Sequence, residues 1–130
     1  MNRTEINPST VSPAPYHYAV RTGDLVWMSG ALPLDPDGNV VGTTPHDQAV
    51  QAMDNAEIVL AEAGATLDDV VMVRTFVTHW AIRDEIKAVI QERFGEKRPP
   101  STTLVIVSLG YPACMVEIEM TAVVTGGGAS

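Results

Sequence analysis

Apolar residues recur every three or four positions along two stretches of the chain, and this spacing predicts two amphipathic helices. The first stretch covers residues 43–65, with Thr44 as a candidate N-cap, Pro45 at the first helical position and Gly64 as the end. The second covers residues 82–94. The apolar stripes are Ala49, Met53, Ala56, Leu60 and Ala63 in the first helix, and Ile82, Ile86, Val89, Ile90 and Phe94 in the second. Each helix therefore has one face that must be buried against another element.

Runs of β-branched and other apolar residues, bounded by glycine or proline, predict the strands. Asp-Pro-Asp-Gly at residues 35–38 is a turn signal, and a second strand beside it would form a hairpin. Residues 1–15, with three prolines, predict an extended lead-in. The clear strands are residues 25–30, 68–80, 97–109 and 115–124. Two helices among these strands predict an α+β fold, in which both helices cover one face of a mixed or antiparallel sheet.

The last strand has one apolar face and one face that carries two carboxylates. Side chains of a strand alternate between faces, so Glu117 and Glu119 share the face opposite to the apolar one. In a chain this short, the sheet face without helices is expected to be solvated or to pack against another copy. Arg74, in the strand at residues 68–80, lies among apolar neighbours and needs a partner. Either glutamate could supply it, and a structural ion pair is favoured over a role for Arg74 in substrate binding.

The composition limits the class of protein. With 130 residues, the chain is expected to form one domain over residues 1–125, followed by a disordered tail at residues 126–130. It has 16 Asp and Glu against 8 Lys and Arg, and this net charge of −8 argues against nucleic-acid and anionic-membrane partners. No apolar run approaches the ~18–20 residues of a membrane span. The single cysteine, Cys114, fits a cytoplasmic protein and is interpreted as a small apolar residue rather than a nucleophile.

Five segments of the sequence, which together cover nearly the whole chain, have a characteristic order and spacing: residues 14–20, 28–42, 51–78, 93–105 and 116–124. In this order and spacing they resemble the YjgF/UK114 family, also called the reactive intermediate deaminase (Rid) family. The resemblance implies a chorismate-mutase-like fold and a homotrimer, in which three sheets pack around a central axis and three clefts lie between neighbouring subunits. The family's typical reaction is hydrolysis of reactive 2-imino or 2-enamino acids to 2-keto acids and ammonia, without a metal or organic cofactor.

Four positions match residues of the family's cleft. Tyr16, in a Pro-Tyr pair, matches the cleft tyrosine, while Ser29 and Gly30 match a segment that lines the cleft. Glu117 matches the glutamate that positions the attacking water in deaminating members, a role that suits a carboxylate in a confined site. Simpler interpretations remain open: Tyr16 could cap the core with its ring, and Ser29 could be an ordinary strand-end hydroxyl. Glu119 is interpreted as an exposed or interface carboxylate.

One position departs from the deaminating members, which carry an arginine in a Pro-Ala-Arg-Ser/Thr stretch. An alignment without gaps from Phe94 places Ser101 on that arginine. The arginine grips the substrate carboxylate as a bidentate pair, whereas a serine hydroxyl offers one neutral donor. Losing such a contact costs about 2–5 kcal/mol, roughly a thirtyfold to several-thousandfold loss in binding. Arg98, before two prolines, is expected to point away from Ser101 or toward a neighbouring subunit.

The sequence favours a cofactor-independent enamine or imine deaminase with a non-standard substrate, in which Glu117 positions water and Ser101 and Arg74 are candidate substrate contacts. The alternative is a non-catalytic trimer that binds a small ligand or has a regulatory role. Ribonuclease activity, attached to some family members, is disfavoured by the acidic balance. No metal site is expected, because His17, His46 and His79 have no paired Cys or His at ligand spacing.

Overall fold

The computed structural model describes residues 2–125, which form six strands and two α-helices. The six strands make one sheet in the order β1-β2-β3-β6-β4-β5. All neighbours are antiparallel except β4 and β5, which are parallel, so the sheet is mixed. The elements are β1 Arg3–Ile6, β2 Ala19–Thr22, β3 Leu25–Met28, α1 Pro45–Glu62, β4 Val70–Val77, α2 Arg83–Phe94, β5 Ser101–Val105 and β6 Val116–Val123. The predicted α+β class, with two helices on a mixed sheet, is confirmed.

Both predicted helices are confirmed, with ends set by local chemistry. The Thr44 side chain accepts a hydrogen bond from the Asp47 backbone N–H at 3.1 Å, which caps α1. Gly95 follows α2 with a φ of 63°, a conformation that favours glycine. The predicted stripe of α1 is buried throughout, and that of α2 is buried except for the half-buried Ile82. Helix α1 packs against β6 and α2, so the helices share one layer of the core.

The N-terminal third differs from the prediction. The segment expected to be an extended lead-in contains β1, which pairs with β2, and β2 joins β3 through a turn at Gly23. Strands of four residues are too short for an alternating pattern to stand out. The turn at residues 35–38 is confirmed, because the Asp35 carboxylate accepts from the backbone N–H groups of Asp37 and Asn39, both at 2.9 Å. The hairpin expected around it is a single bridge between Leu34 and Val40.

Strand β6 lies in the middle of the sheet, between β3 and β4. Its residues alternate between buried and half-buried along the whole strand, as the sequence predicted. On the face away from the helices, Glu119 is in register with Arg74 and Glu117 with Phe76. Trp27 of β3 lies on this face and is 54% exposed. Within residues 2–125, no helix covers this face; the disordered tail predicted for residues 126–130 falls outside the described residues.

Neither helix in the described part of the chain combines the length and the apolar composition needed to cross a bilayer.

Candidate functional site

A cavity of about 270 Å³ lies where the end of β3 passes the start of β6. Four of the residues selected from the sequence line it: Tyr16, Ser29, Gly30 and Glu117. Its other walls come from the segment before β2, from α1 and from the loop that precedes β6. The structure therefore brings together side chains that lie about 100 positions apart in the sequence.

Backbone hydrogen bonds fix the wall of the cavity that contains Gly30 and Glu117. The backbone N–H of Ala31 donates to the Ile118 carbonyl at 2.7 Å, and the N–H of Ile118 donates back at 3.0 Å. This bridge holds Gly30 against Glu117. The Ser29 hydroxyl donates to the Tyr18 carbonyl at 3.2 Å. Because its proton is used in the fold, Ser29 fits the interpretation as a strand-end hydroxyl, although the residue also lines the cavity.

The surroundings of Glu117 favour its protonated form more than water does. Burial raises the pKa of this half-buried carboxyl above its ordinary value, and the nearby charge of Glu119 raises it further. Among residues 2–125, no side chain or backbone group forms a hydrogen bond with the Glu117 carboxylate. Its oxygens are therefore available to a water or a ligand in the cavity.

Tyr16 lies at the mouth of the cavity with 51% of its surface exposed. Burial of the phenol, followed by the charge of Glu117, raises the pKa of Tyr16, so its hydroxyl remains a proton donor at neutral pH. Its ring meets that of Tyr18 edge to face, with centroids 6.2 Å apart. The exposed phenol fits a ligand contact better than a cap on the core.

Sequence reasoning missed three residues around this cavity. Tyr111 lines it from the loop before β6, and Asn55 lines it from α1. The Asn55 amide donates to the carbonyls of Leu32 and Leu34 at 2.9 and 2.8 Å, which fixes the segment after β3. Gln48 lies two helical turns before Asn55 and is as buried as the core residues. Two buried amides seven positions apart on an apolar helix face were the available signal.

Gln48 connects α1 to the loop before β6. Its amide donates to the Gly42 and Ala113 carbonyls at 3.2 and 2.9 Å, and its oxygen accepts from the Met115 N–H at 2.7 Å. Cys114, in this loop, is 1% exposed. Burial raises the pKa of the Cys114 thiol to about 11, with Glu117 as a second cause. The thiol is therefore neutral at pH 7, as expected for a small apolar residue.

Ser101 lies apart from these residues. It is in register with Val73, whose side chain is buried beneath the helices, whereas Glu117 lies on the other face of the sheet. Ser101 lines a groove of about 390 Å³ between α2 and β5. Arg98, which was expected to point away or toward a neighbouring subunit, lines the same groove, and its Nε donates to the Gly95 carbonyl at 2.9 Å. One copy of the chain therefore does not bring Ser101 and Glu117 into one site.

Arg74 lines neither of these two cavities. Its Nη1 donates to Glu119 Oε1 at 3.0 Å across neighbouring strands, on the face without helices. The sequence left Glu117 and Glu119 as possible partners of Arg74. The structure pairs Arg74 with Glu119, and the contact fits a structural ion pair. In the described range, no group of three His, Cys, Asp or Glu side chains is arranged to hold a metal ion.

Comparison with known proteins identifies the family. A family model described as endoribonuclease L-PSP matches residues 8–124. The chain belongs to the YjgF/UK114 (Rid) family. It is 36% identical to a RutC family protein of Saccharolobus solfataricus, with 92% of this chain and 93% of that protein covered.

The names of two relatives of this Rid family chain state a reaction. The chain is 35% identical to the 3-aminoacrylate deaminase RutC of Acinetobacter baylyi, over 84% of this chain and 86% of that protein. It is 32% identical to a 2-iminobutanoate/2-iminopropanoate deaminase of Dermatophagoides farinae, with 93% of each chain covered. The family thus includes deaminases of enamines and imines.

Solved structures agree with the fold. The structure of yeast Mmf1 superposes with a TM-score of 0.90 at 26% identity, covering 95% of this Rid family chain and all of the other. The structure of Escherichia coli TdcF with bound serine gives a TM-score of 0.87 at 25% identity, over 94% and 99% of the two chains. The chorismate-mutase-like fold implied by the resemblance is confirmed.

Proposed function

We propose that this protein is a cofactor-independent deaminase that hydrolyses the C=N bond of an imine, or of an enamine after its protonation at carbon. The observation that carries the proposal is the Glu117 carboxylate, half-buried in a cavity with a raised pKa and without a hydrogen-bond partner in residues 2–125. The deaminase names of two relatives support the same reaction class. A cytoplasmic location is proposed with it, and rests on the single cysteine.

In the proposed reaction the substrate is the protonated imine, and Glu117 accepts a proton from water as the water oxygen bonds to the imine carbon and the C=N π electrons move to nitrogen. The tetrahedral intermediate carries a hydroxyl and an amino group on that carbon. Glu117 then gives its proton to the amino nitrogen, takes up the hydroxyl proton as the C–N bond breaks and the carbonyl forms, and passes that proton to the departing ammonia, which leaves as ammonium. General acid–base catalysis of this kind contributes roughly 100- to 10,000-fold in rate. Tyr16 and the backbone at Ser29 and Gly30 are proposed to position the substrate beside this carboxylate.

We further propose that three copies assemble through the sheet face that carries Trp27 and Glu119. Two observations support this assembly. A large aromatic side chain is exposed on a face that no helix within residues 2–125 covers. Ser101 and Glu117 lie on opposite faces of one sheet, so a cleft containing both needs two subunits. In the proposed trimer, the groove at Ser101 of one subunit adjoins the cavity at Glu117 of its neighbour.

The substrate is proposed to differ from simple 2-imino acids. Ser101 stands where the resemblance places an arginine, and its hydroxyl cannot form a bidentate contact with a carboxylate. A larger substrate, or one with its anionic group elsewhere, is expected to bind better.

The experiment that tests the function measures ammonia release from imines made in place by an amino-acid oxidase. Wild type is expected to accelerate release, and Glu117→Gln to lose roughly 100-fold or more of that acceleration. Glu62→Gln, which removes the same charge at the exposed end of α1, is the matched control and should keep wild-type activity. Equal release with and without the protein, across small and large substrates, would contradict the proposal.

A second candidate is a non-catalytic trimer that binds a small ligand. The serine at position 101 favours it, because a family member without the arginine could keep its cavity and lose its reaction. This candidate predicts thermal stabilisation by a ligand that persists in Glu117→Ala, together with no ammonia release.

A further inference from the structure

The groove between α2 and β5 carries positive charge in a chain that is strongly acidic. Three of its lining residues are cationic, namely Arg83, Lys87 and Arg98, and no Asp or Glu of residues 2–125 lines it. The whole chain has 16 acidic residues and only 8 Lys and Arg. The groove thus holds three of the chain's eight cationic residues, although the chain as a whole is negatively charged. This local positive charge indicates a site for an anion.

Two of the three cations have uncompensated charge. Arg83 stacks on Trp80, with 3.4 Å between its Cζ and the ring centroid, and also contacts Asp84 at 3.5 Å. In contrast, no carboxylate within residues 2–125 lies within 4.0 Å of Lys87 or Arg98. Arg98 is oriented by the bond from its Nε to the Gly95 carbonyl, which leaves its terminal nitrogens available.

The rest of the groove defines what kind of anion would fit. Its floor is apolar, formed by Val73, Ile90 and Phe94, with the indole of Trp80 at one side. The hydroxyls of Ser101 and Thr103 lie on the β5 side and can donate hydrogen bonds. A volume of about 390 Å³ is in the range of small-molecule sites. The groove therefore suits a small molecule with a flat or apolar body and one anionic end.

We propose that this groove binds the carboxylate of a small apolar-bodied organic acid through Lys87 and Arg98. The assignment of the groove as a substrate subsite rests on the proposed function. In that function, Lys87 and Arg98 would supply the positive charge that the serine at position 101 does not. Its geometry differs from that of one bidentate arginine. Two separate cations, one on α2 and one before β5, would hold the carboxylate at the groove wall and leave the body over the apolar floor.

The test is a titration of the full chain with benzoate, followed by backbone amide chemical shifts at constant ionic strength. Shifts are expected in α2 and β5. Lys87→Met and Arg98→Met should each raise the Kd about tenfold or more, whereas Lys97→Met should change it less than twofold. Lys97→Met is the matched control because it removes one charge from an exposed residue that does not line the groove. Benzamide, the neutral analogue of benzoate, should bind at least tenfold more weakly.

Three results of the titration would overturn the assignment: equal effects of Lys87→Met and Lys97→Met, equal affinities for benzoate and benzamide, or inorganic phosphate binding as tightly as benzoate. The last would indicate a phosphate site. Binding as expected in Glu117→Gln, with no ammonia release from wild type on any substrate, would leave the groove assignment standing and reject the deaminase. Glu117-dependent release with the same KM in Lys87→Met and Lys97→Met would reject the groove and leave the deaminase standing.

Discussion

Gly30 lies so close to Glu117 that an added Cβ at position 30 would be 2.5 Å from the carboxylate carbon Cδ. A Cβ atom does not approach a side-chain carbon of a distant residue this closely in folded proteins. The backbone at Gly30 is fixed by the bridge between Ala31 and Ile118, so it cannot retreat without breaking that bridge. The absence of a side chain at position 30 therefore sets where the Glu117 carboxylate lies.

Gly30→Ala is expected to displace the Glu117 carboxylate while the fold persists. A catalytic group moved by about 1 Å can cost up to roughly 100-fold in rate, so ammonia release should fall by about 10- to 100-fold. Gly110→Ala is the matched control: it lines the same cavity, and an added Cβ there meets no atom within 4 Å. A Gly30→Ala protein with wild-type kcat would contradict the proposed role of Glu117.

The pH dependence of the reaction should respond to Glu119. Burial and the charge of Glu119 raise the pKa of Glu117 above 4.5, so the active carboxylate is lost as the pH falls through this raised value. Glu119→Gln removes the like charge and frees Arg74, and both changes lower the pKa of Glu117. The acidic limb of the kcat/KM profile should therefore move to lower pH. An unmoved limb in Glu119→Gln would show that another group controls it.

Gln48→Leu should loosen the loop before β6. The substitution keeps the side chain's size but leaves the N–H of Met115 and the carbonyl of Ala113 without partners. An unsatisfied buried polar group costs about 1–3 kcal/mol, and because Met115 is half-buried and Ala113 is exposed, the free energy of unfolding should fall by about 1 kcal/mol, at the lower end of this range. Hydrogen exchange at the Met115 amide should accelerate more than the global change explains. Unchanged protection at that amide would mean that Gln48 does not hold the loop.

Trp27→Glu tests the proposed assembly. It places a charge on the face without helices, at a side chain that is half exposed in one copy, and is expected to prevent three sheets from packing together. Light scattering should then give the 13.9 kDa of a single chain, against about three times that mass for wild type. Ala61→Glu adds the same charge on the exposed face of α1 and should leave the assembly intact. A wild-type protein of single-chain mass would contradict the trimer.

The features that the sequence predicted depend on short-range interactions, and the features that it missed depend on long-range ones. The helices, the cap at Thr44 and the turn at Asp35 depend on residues a few positions apart, and all three were predicted. Strand β2 depends on pairing with a second short strand, and it was missed. The separation of Ser101 from Glu117 depends on the strand order β6-β4-β5, which no local pattern encodes.

The central position of β6 has a consequence for how a newly made chain reaches its fold. Residues 116–123 are synthesised after the other five strands, yet within residues 2–125 this strand alone pairs with both the β1–β3 meander and the β4–β5 pair. Until it emerges, two sheet fragments expose unpaired edges, which are templates for association with other chains. Premature termination before residue 116 should therefore yield aggregates rather than a smaller domain, whereas loss of β1, at the margin, should be tolerated.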